Sequence, residues 1–242
     1  YWGLEDTTFY RGKVQETIYE YDYTNTCVTE IVKAGFITVS PSVSSNSSPE
    51  EYSFETGIGN DWTVADNSAE ESIWTNVNGS YSGFEWSNGS LVVNNFERVK
   101  VGVIGGYTEI VSKSFNLSNF STPAIKFSWA GAALNTFPTN EITVHYSTNC
   151  GENWLSLGIL DPVTTSRAGY IATNFIPNEN DWLDTVLTKN ALKNNNIKFK
   201  IAYSAGTTAH NNIYIDNIKI GEASSLFNEN NNSISQKISV FP

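Results

Sequence analysis

The chain has 242 residues, of which 40% are hydrophobic and 13% are aromatic. This is enough apolar material for a packed core, so the composition excludes wholesale disorder. Asp and Glu number 25 against 14 Lys and Arg, a net charge of −11. Without a basic cluster, this balance excludes nucleic acid as a partner, because Lys and Arg supply most of that affinity. No apolar run approaches about 18 residues, so we expect no transmembrane segment.

The sequence begins at Tyr1 and contains no Met. We therefore expect it to be a processed part of a longer gene product, with any signal peptide removed upstream. The two cysteines, Cys27 and Cys150, are too few for a disulfide framework and lack a metal-binding spacing. We expect both to be free or buried thiols, although they can pair if two distant segments meet.

Residues 1–39 contain the strand-like runs VQETIYEYDY and CVTEIVKAGFITV. They are too few to form an independent core, so they are expected to be the end of a domain. Residues 40–51 are rich in Ser and Pro and have no apolar period, which predicts a linker.

Residues 52–221 contain short segments in which apolar and polar residues alternate, separated by clusters of Asn, Gly, Ser and Pro. Apolar and other residues alternate in AIKFSWA, EITVHYS and NIKFKIAYS. Alternation of period two places the apolar side chains on one face of a strand, packed against a second sheet. Helical periodicity of useful length is absent, so the pattern predicts an all-β sandwich. Residues 222–242 lose this period and fill with Asn and Ser, which predicts a second linker.

Five segments of this region together resemble the MAM-like jelly-roll of secreted Bacteroidetes proteins and of the cleaved-adhesin repeats of gingipains. These segments are SFETGIGNDWTV, SKSFNLSNFSTPAIKFSWA, VHYSTNCGENWLSLG, NDWLDTVL and NNIYIDNIKIG. The resemblance implies a jelly-roll β-sandwich over residues 52–221.

The flanking segments resemble parts of the same kind of protein. KAGFITVSP resembles the last strand of a PKD domain, an immunoglobulin-like module, which makes residues 1–39 a partial PKD-like module. ISVFP resembles the opening of a type IX secretion sorting domain, so residues 222–242 are a linker and the start of that domain. This order resembles the C-terminal region of pappalysin-like (cytophagalysin) zinc metalloproteases. It implies a secreted or cell-surface bacterial protein, with zinc only in a catalytic domain upstream of Tyr1.

We expect no catalytic residue within the chain itself. His145 and His210 are its two histidines, so the metalloprotease motif H-E-x-x-H is absent, as is G-x-S-x-G. His145 lies within a predicted strand and is interpreted as a surface or rim residue. His210 lies in TTAHNN and is interpreted as a solvated turn residue.

A structural calcium ion is the cofactor that the sequence suggests. Glu55 follows the first strand of the jelly-roll, and Asp216 lies inside the last strand, where a charge is costly unless paired or metal-bound. Calcium takes carboxylate and carbonyl oxygens. The resemblance implies that these two strands are neighbours, which would bring the two carboxylates together. Asp66 and Asn67 in TVADNSAE are candidates for further oxygen donors. Alternatively, Glu55 accepts hydrogen bonds from turn amides and Asp216 lies at a bulge.

The aromatic residues are expected either to be buried in the core or to form an exposed surface that binds sugars. Four lie within the family-like motifs and are expected to fill the core: Trp62, Trp129, Trp154 and Trp182. Four others lie in a region rich in Gly and Asn, and either pack in the core or form a stacking platform for sugar rings: Trp74, Tyr81, Trp86 and Tyr107.

These observations predict a non-catalytic accessory region that positions a secreted enzyme, a pappalysin-like zinc metalloprotease, on extracellular protein or glycan. One alternative is a surface adhesin with no attached enzyme. Another is a structural spacer.

Overall fold

The alternating segments form antiparallel strands in the computed structural model, which describes residues 26–32, 36–41, 49–66, 74–78, 89–102 and 104–226. The described strands are β1 (Thr26–Val32), β2 (Phe36–Pro41), β3 (Glu50–Tyr52), β4 (Trp62–Asp66), β5 (Thr75–Asn78), β6 (Gly89–Val93), β7 (Tyr107–Ser112), β8 (Pro123–Ala133), β9 (Glu141–Ser147), β10 (Leu155–Leu160), β11 (Leu183–Thr188), β12 (Lys198–Ser204) and β13 (His210–Glu222). The described helices are α1 (Asn95–Lys100) and α2 (Ala223–Leu226), with 3₁₀ turns at Thr164–Ser166 and Asn190–Leu192.

Two sheets face each other across the core. The five-stranded sheet has the order β10-β9-β12-β7-β4. The six-stranded sheet has the order β11-β8-β13-β6-β5, and β3 also pairs with β13. All of these strand pairings are antiparallel. The arrangement confirms the predicted jelly-roll β-sandwich.

The core consists of the apolar positions of the alternating segments. Phe127 on β8, Val144 on β9 and Ile201 on β12 are completely buried in one cluster between the sheets. Burying each such side chain contributes about 1.5–3 kcal/mol, so this cluster is the main source of stability. The sequence pattern therefore identified the inward faces of these strands correctly.

The sandwich extends slightly beyond residues 52–221 at both ends. β3 begins at Glu50, inside the predicted linker, and pairs with β13 through Glu50, Glu51 and Tyr52. At the other end β13 runs to Glu222, and Leu226 of α2 is buried against the outer side of the six-stranded sheet. These residues therefore belong to the folded unit.

The predicted PKD-like module is described only in part. β1 and β2 form an antiparallel hairpin of their own. Residues 1–25 lie outside the described part, as do residues 227–242 with the sorting-like ISVFP. The identification of these flanks stays a prediction.

The four motif tryptophans occupy different environments. Trp62 and Trp129 lie in the main core, as expected, whereas Trp182 is buried in a second cluster with Phe175 and Tyr214. Trp154 differs from the prediction because it is only partly buried and lies outside both clusters. Its position in the turn before β10 places it at the surface of the five-stranded sheet.

The expectation of free thiols is wrong for Cys150, which is disulfide-bonded. Cys150 lies in the turn between β9 and β10, where it adopts a φ of 62°. The sequence contains one other cysteine, Cys27. Spacing along the chain carried no information about this bond, because disulfide formation depends on which segments meet in space.

Candidate functional site

The outward face of the five-stranded sheet carries polar and aromatic side chains in adjoining positions. Alternation directs Tyr107 and Glu109 of β7, Lys200 of β12 and His145 of β9 away from the core. The register places Lys200 opposite His145 on one side, with Glu109 diagonally across on the other. We call these four residues, together with Trp154, the outer-face cluster.

Hydrogen bonds and an ion pair fix the centre of this cluster. The Tyr107 hydroxyl donates to Glu109 Oε2 at 2.8 Å, and Lys200 Nζ lies 3.2 Å from the same oxygen. Both charged side chains are largely buried, so their attraction is screened less than that of an exposed pair. Burial and the hydrogen bond to Glu109 raise the pKa of Tyr107, so the phenol stays protonated as a donor.

An aromatic ring and a neutral histidine complete the cluster. Lys200 Nζ lies 4.8 Å from the centre of the Trp154 ring, a cation–π contact that holds the ammonium group in place. Burial, and then the positive charge of Lys200, lower the pKa of His145, which keeps its imidazole neutral at pH 7. Its Nδ1 makes no hydrogen bond within the described residues.

A small residue lies between these larger groups. Ala202 of β12 is opposite Glu109 on one neighbouring strand and Thr143 on the other, and it is 1% exposed. Its methyl group therefore forms the floor between longer side chains. The face carries a carboxylate acceptor, an ammonium donor, a phenol and an imidazole in adjoining positions, and these groups can form hydrogen bonds with a polar ligand.

The polar positions of the alternating segments indicate part of this cluster, although the prediction of the core rests on the apolar positions alone. In EITVHYS and NIKFKIAYS the positions between the core residues include His145 and Lys200. Their shared face follows from alternation. Their adjacency depends on the pairing of β9 with β12, which only the fold provides.

Asp216, the central residue of the predicted calcium site, is 1% exposed within β13. The register of β13 on β8 shifts between Asp216 and Lys219, and Asp216 Oδ1 accepts the N–H of Asn217 at 2.6 Å. Asn217 adopts a φ of 51° at this bulge. The bulge matches the alternative that the sequence left open.

The structure brings the segment of Glu55 to the same part of β13. β6 pairs with β13 up to Ile215, and β3 pairs with it from Ile218, so both strands meet β13 on either side of Asp216. A side chain at Gly89, the first residue of β6, would collide with the backbone of Phe54 and Glu55. We call this junction of β3, β6 and β13 the Asp216 junction.

The other two predicted ligands are Asp66 and Asn67. The backbone of Asp66 ends β4 in the five-stranded sheet, opposite Thr108 of β7, whereas Asp216 lies in the six-stranded sheet. Asn67 lies outside the described residues. Within the described part, no three His, Cys, Asp or Glu residues are grouped so as to hold a metal ion.

The four residues predicted to stack on sugar rings also lie in different environments. Trp74 is 1% exposed and packs edge-on against Tyr203 in the core. Its indole is therefore not accessible to a sugar, which corrects the prediction of a stacking role and leaves core packing as the role of Trp74. Tyr107 belongs to the outer-face cluster. Tyr81 and Trp86 lie outside the described residues, and their role stays a prediction.

His210 also differs from the sequence interpretation. It is the first residue of β13 and is 1% exposed, rather than solvated in a turn. Its Nε2 lies 3.1 Å from Thr208 Oγ1 and 3.4 Å from Thr139 Oγ1. Burial lowers the pKa of His210 to about 4, so it is neutral at pH 7.

Solved structures with the same fold are cleaved adhesin domains. The K1 domain of Lys-gingipain from Porphyromonas gingivalis W83 has a TM-score of 0.55 at 19% identity, and the match covers 72% of this chain and 98% of that domain. The K3 domain of the same protein has a TM-score of 0.53 at 16% identity, with the same coverage. The K2 domain has a TM-score of 0.51 at 13% identity, over 74% of this chain and 100% of that domain.

These similarities establish the jelly-roll fold of cleaved adhesin domains for this chain. No protein-family model and no curated protein sequence matches it. In the part of the chain that the structure describes, no helix has the length and apolar character needed to cross a membrane.

Proposed function

We propose that the chain is a non-catalytic binding module that holds a secreted bacterial protein on extracellular protein or glycan. The outer-face cluster is the main support for this proposal. Hydrogen-bond donors, hydrogen-bond acceptors and the partly exposed Trp154 ring lie next to each other on one surface. The fold shared with cleaved adhesin domains supports the same role.

The parent protein in this proposal is a secreted pappalysin-like zinc metalloprotease that carries a PKD-like module and a type IX sorting domain. The resemblance of KAGFITVSP and ISVFP to those parts supports it. The disulfide at Cys150 supports passage through an oxidising compartment, because disulfides persist outside the cytosol.

The coding sequence upstream of Tyr1 distinguishes this parent from the main alternative. H-E-x-x-H-x-x-G-x-x-H followed by a complete PKD domain identifies a zinc protease. Further jelly-roll or PKD repeats without a catalytic motif identify an adhesin with no attached enzyme.

The same module would hold a structural calcium ion at the Asp216 junction. The residues at this junction fit calcium. The carboxylate of Asp216 is buried on β13 between the segments that pair with β3 and β6, and calcium binds carboxylate together with backbone oxygens. Asp216 and Glu55 would be its carboxylate ligands, and Asp66 and Asn67 stay further oxygen donors proposed from the sequence. When bound, the ion would neutralise the buried charge and tie the segment after β3 to β13.

Binding by the purified chain tests the main proposal. The probes are an array of animal and bacterial glycans and a panel of immobilised extracellular matrix proteins. For the probe that binds, we expect Lys200→Met and Glu109→Gln each to weaken affinity about tenfold or more, because each removes a charged group that would hydrogen-bond to the ligand. Tyr107→Phe, which removes only one hydroxyl, should weaken it less.

The matched control is the ion pair of Lys100 with Glu97 on α1, which is more than half exposed and belongs to neither sheet. Lys100→Met and Glu97→Gln make the same charge changes and should leave binding unaltered. Equal losses in both sets would show that overall charge, rather than the outer-face cluster, determines binding. No binding of the folded chain to any probe would favour the structural spacer.

A further inference from the structure

A second lysine lies on the face that carries the outer-face cluster. Lys198 is the first residue of β12 and points to the same side of the sheet as Lys200, because the two are separated by one residue of the strand. The register places Lys198 opposite Ser147 of β9. Lys198 is partly buried, and this burial lowers the pKa of its ammonium group. The outer face therefore holds two partly desolvated cations.

The two lysines differ in their partners. Lys200 forms an ion pair with Glu109, whereas no described carboxylate lies within ion-pair distance of Lys198. Glu152 lies in the turn before β10, where it is exposed and makes no ion pair with Lys198. A partly desolvated ammonium group without a counter-charge attracts an anion more strongly than a fully hydrated one. The charge of Lys198 is therefore available to a ligand.

An aromatic ring lies beside both lysines. Lys200 Nζ is 4.8 Å from the centre of the Trp154 ring. A side-chain carbon placed on Gly151 would lie 3.3 Å from Trp154 Cζ2 and 3.9 Å from Lys198 Cδ, so the ring and the stem of Lys198 border the same turn. Gly151 adopts a φ of 94°, which other residues rarely do. The ring and the two ammonium groups therefore form one recognition surface.

The turn that leads to Trp154 is fixed before any ligand binds. Ser147 Oγ accepts the N–H of Asn149 at 3.2 Å and the N–H of Gly151 at 2.9 Å. Cys150 in the same turn is disulfide-bonded. A side chain that is already held in place loses little conformational freedom on binding, which favours affinity.

We propose that this face binds an acidic oligosaccharide, in which a carboxylate or sulfate group pairs with Lys198 and a sugar ring stacks on Trp154. The proposal rests on the proposed binding function of the outer-face cluster and names the class of its ligand. An acidic peptide fits less well because the face also holds the Glu109 carboxylate. That carboxylate repels further carboxylates but accepts hydrogen bonds from sugar hydroxyls.

The spacing of the groups indicates a ligand of more than one sugar unit. Lys198 and Ala202 are four residues apart on β12, about 13 Å along the strand. Glu109 lies opposite Ala202, so a ligand that contacts both Lys198 and Glu109 is longer than one sugar ring. The net charge of −11 does not prevent this contact, because exposed charges beyond about 8 Å are largely screened at physiological ionic strength.

Isothermal titration calorimetry of the purified chain with matched oligosaccharides tests the inference. The acidic probes are oligosaccharides of hyaluronan, polygalacturonate and chondroitin sulfate. Their neutral counterparts have the carboxyl groups reduced to alcohols and the sulfates removed, which keeps the configuration of each sugar. We expect an acidic probe to bind about tenfold or more tightly than its neutral counterpart, because only the acidic form makes a charge-assisted hydrogen bond. Desulfated chondroitin, which keeps its carboxylates, distinguishes the two anions.

Substitutions separate the charge from the ring. Lys198→Gln should weaken binding of the acidic probe about tenfold and leave binding of the neutral counterpart unaltered. Lys193→Gln is the matched control, because Lys193 is exposed and lies outside the strands, and its loss removes the same charge. Trp154→Leu should weaken binding of both probes alike. Circular dichroism confirms that each variant is folded.

The possible results separate this inference from the proposed function. Binding of neutral probes that Lys198→Gln does not change overturns the acidic ligand and leaves the binding function in place. Equal losses in Lys198→Gln and Lys193→Gln also overturn it, because overall charge would then determine affinity. Tighter binding of poly-glutamate than of any saccharide overturns it in favour of an acidic peptide. Failure of every saccharide to bind overturns it together with the glycan ligand of the proposed function.

Discussion

At the scale of single residues, burial determines the protonation of the histidine that begins β13. His210 has a pKa of about 4 because removal from water disfavours the charged imidazolium, and a backbone contact with Ala205 offsets this only in part. In the unfolded chain the same side chain titrates near 6.5. The folded state therefore binds this proton only at much lower pH.

We predict that the chain loses stability as the pH falls from 6.5 to about 4. The pKa of His210 is depressed in the folded state, so its contribution is complete above pH 6.5 and is lost towards the folded pKa. The loss attributable to this residue is roughly 3 kcal/mol. Urea unfolding at pH 7, 5.5 and 4.5 measures it, and His210→Gln should flatten the pH dependence while keeping a hydrogen bond to Thr208.

His145 supplies the comparison for this prediction. Its pKa is also lowered, first by burial and then by Lys200, but the residue is only partly buried. His145→Gln should therefore change the pH dependence less than His210→Gln. An identical pH dependence for wild type and His210→Gln would contradict the assignment, since carboxylates would then account for all of the acid loss.

At the scale of elements, a group of charged side chains joins the two sheets at the end where β3 begins. Lys113, which follows β7, lies 2.8 Å from both Glu50 Oε2 on β3 and Asp61 Oδ2 before β4. The Tyr52 hydroxyl on β3 lies 2.8 Å from Glu50 Oε2 and 3.2 Å from Asp61 Oδ2, so its single proton is shared between the two carboxylates. Burial alone would lower the pKa of Lys113, but hydrogen bonds to Asp61 and Glu50 outweigh it and raise the pKa.

We predict that Lys113→Met lowers the free energy of unfolding by about 1–2 kcal/mol, because Glu50 and Asp61 would then face each other without a cation. Thermal or urea unfolding measures the change. Lys100→Met is the control, because its pair with Glu97 is more than half exposed and should change stability by less than about 0.5 kcal/mol. Equal effects of the two substitutions would show that the group around Lys113 does not join β3 to the other sheet.

The strands show how far alternation can predict structure. Alternation predicts that Ile142, Val144 and Tyr146 share one face of β9, and all three are buried in the core. Alternation reports which side of a strand faces the core. It does not report which strand lies alongside, so the adjacency of Lys200 and Glu109 could not be predicted from the pattern.

At the scale of the whole molecule, calcium binding should be visible as stability. We predict that millimolar calcium raises the melting temperature and that EDTA lowers it, because a ligand that binds only the folded state stabilises it. At 100 times the dissociation constant the gain is about 2.7 kcal/mol, or roughly 5–10 °C for a chain of this size. Differential scanning calorimetry measures the shift.

Substitutions at the Asp216 junction identify the ligands of this ion. Asp216→Asn and Glu55→Gln should abolish the response to calcium. Glu97→Gln is the matched control, because it removes the same charge from α1, outside the junction, where the carboxylate is more than half exposed. A melting temperature that is the same in EDTA and in calcium would contradict the proposed site.

The sequence by itself determined the fold class and the inward faces of the strands, because burial of apolar side chains imposes a period of two that is visible without a structure. It also singled out Asp216, because a charge in an apolar strand is unusual at any register. Only the tertiary structure decided that Trp74 is buried, that Cys150 is disulfide-bonded and that Lys200 meets Glu109. Each of these depends on which distant segments come together, and local periodicity carries no information about that pairing.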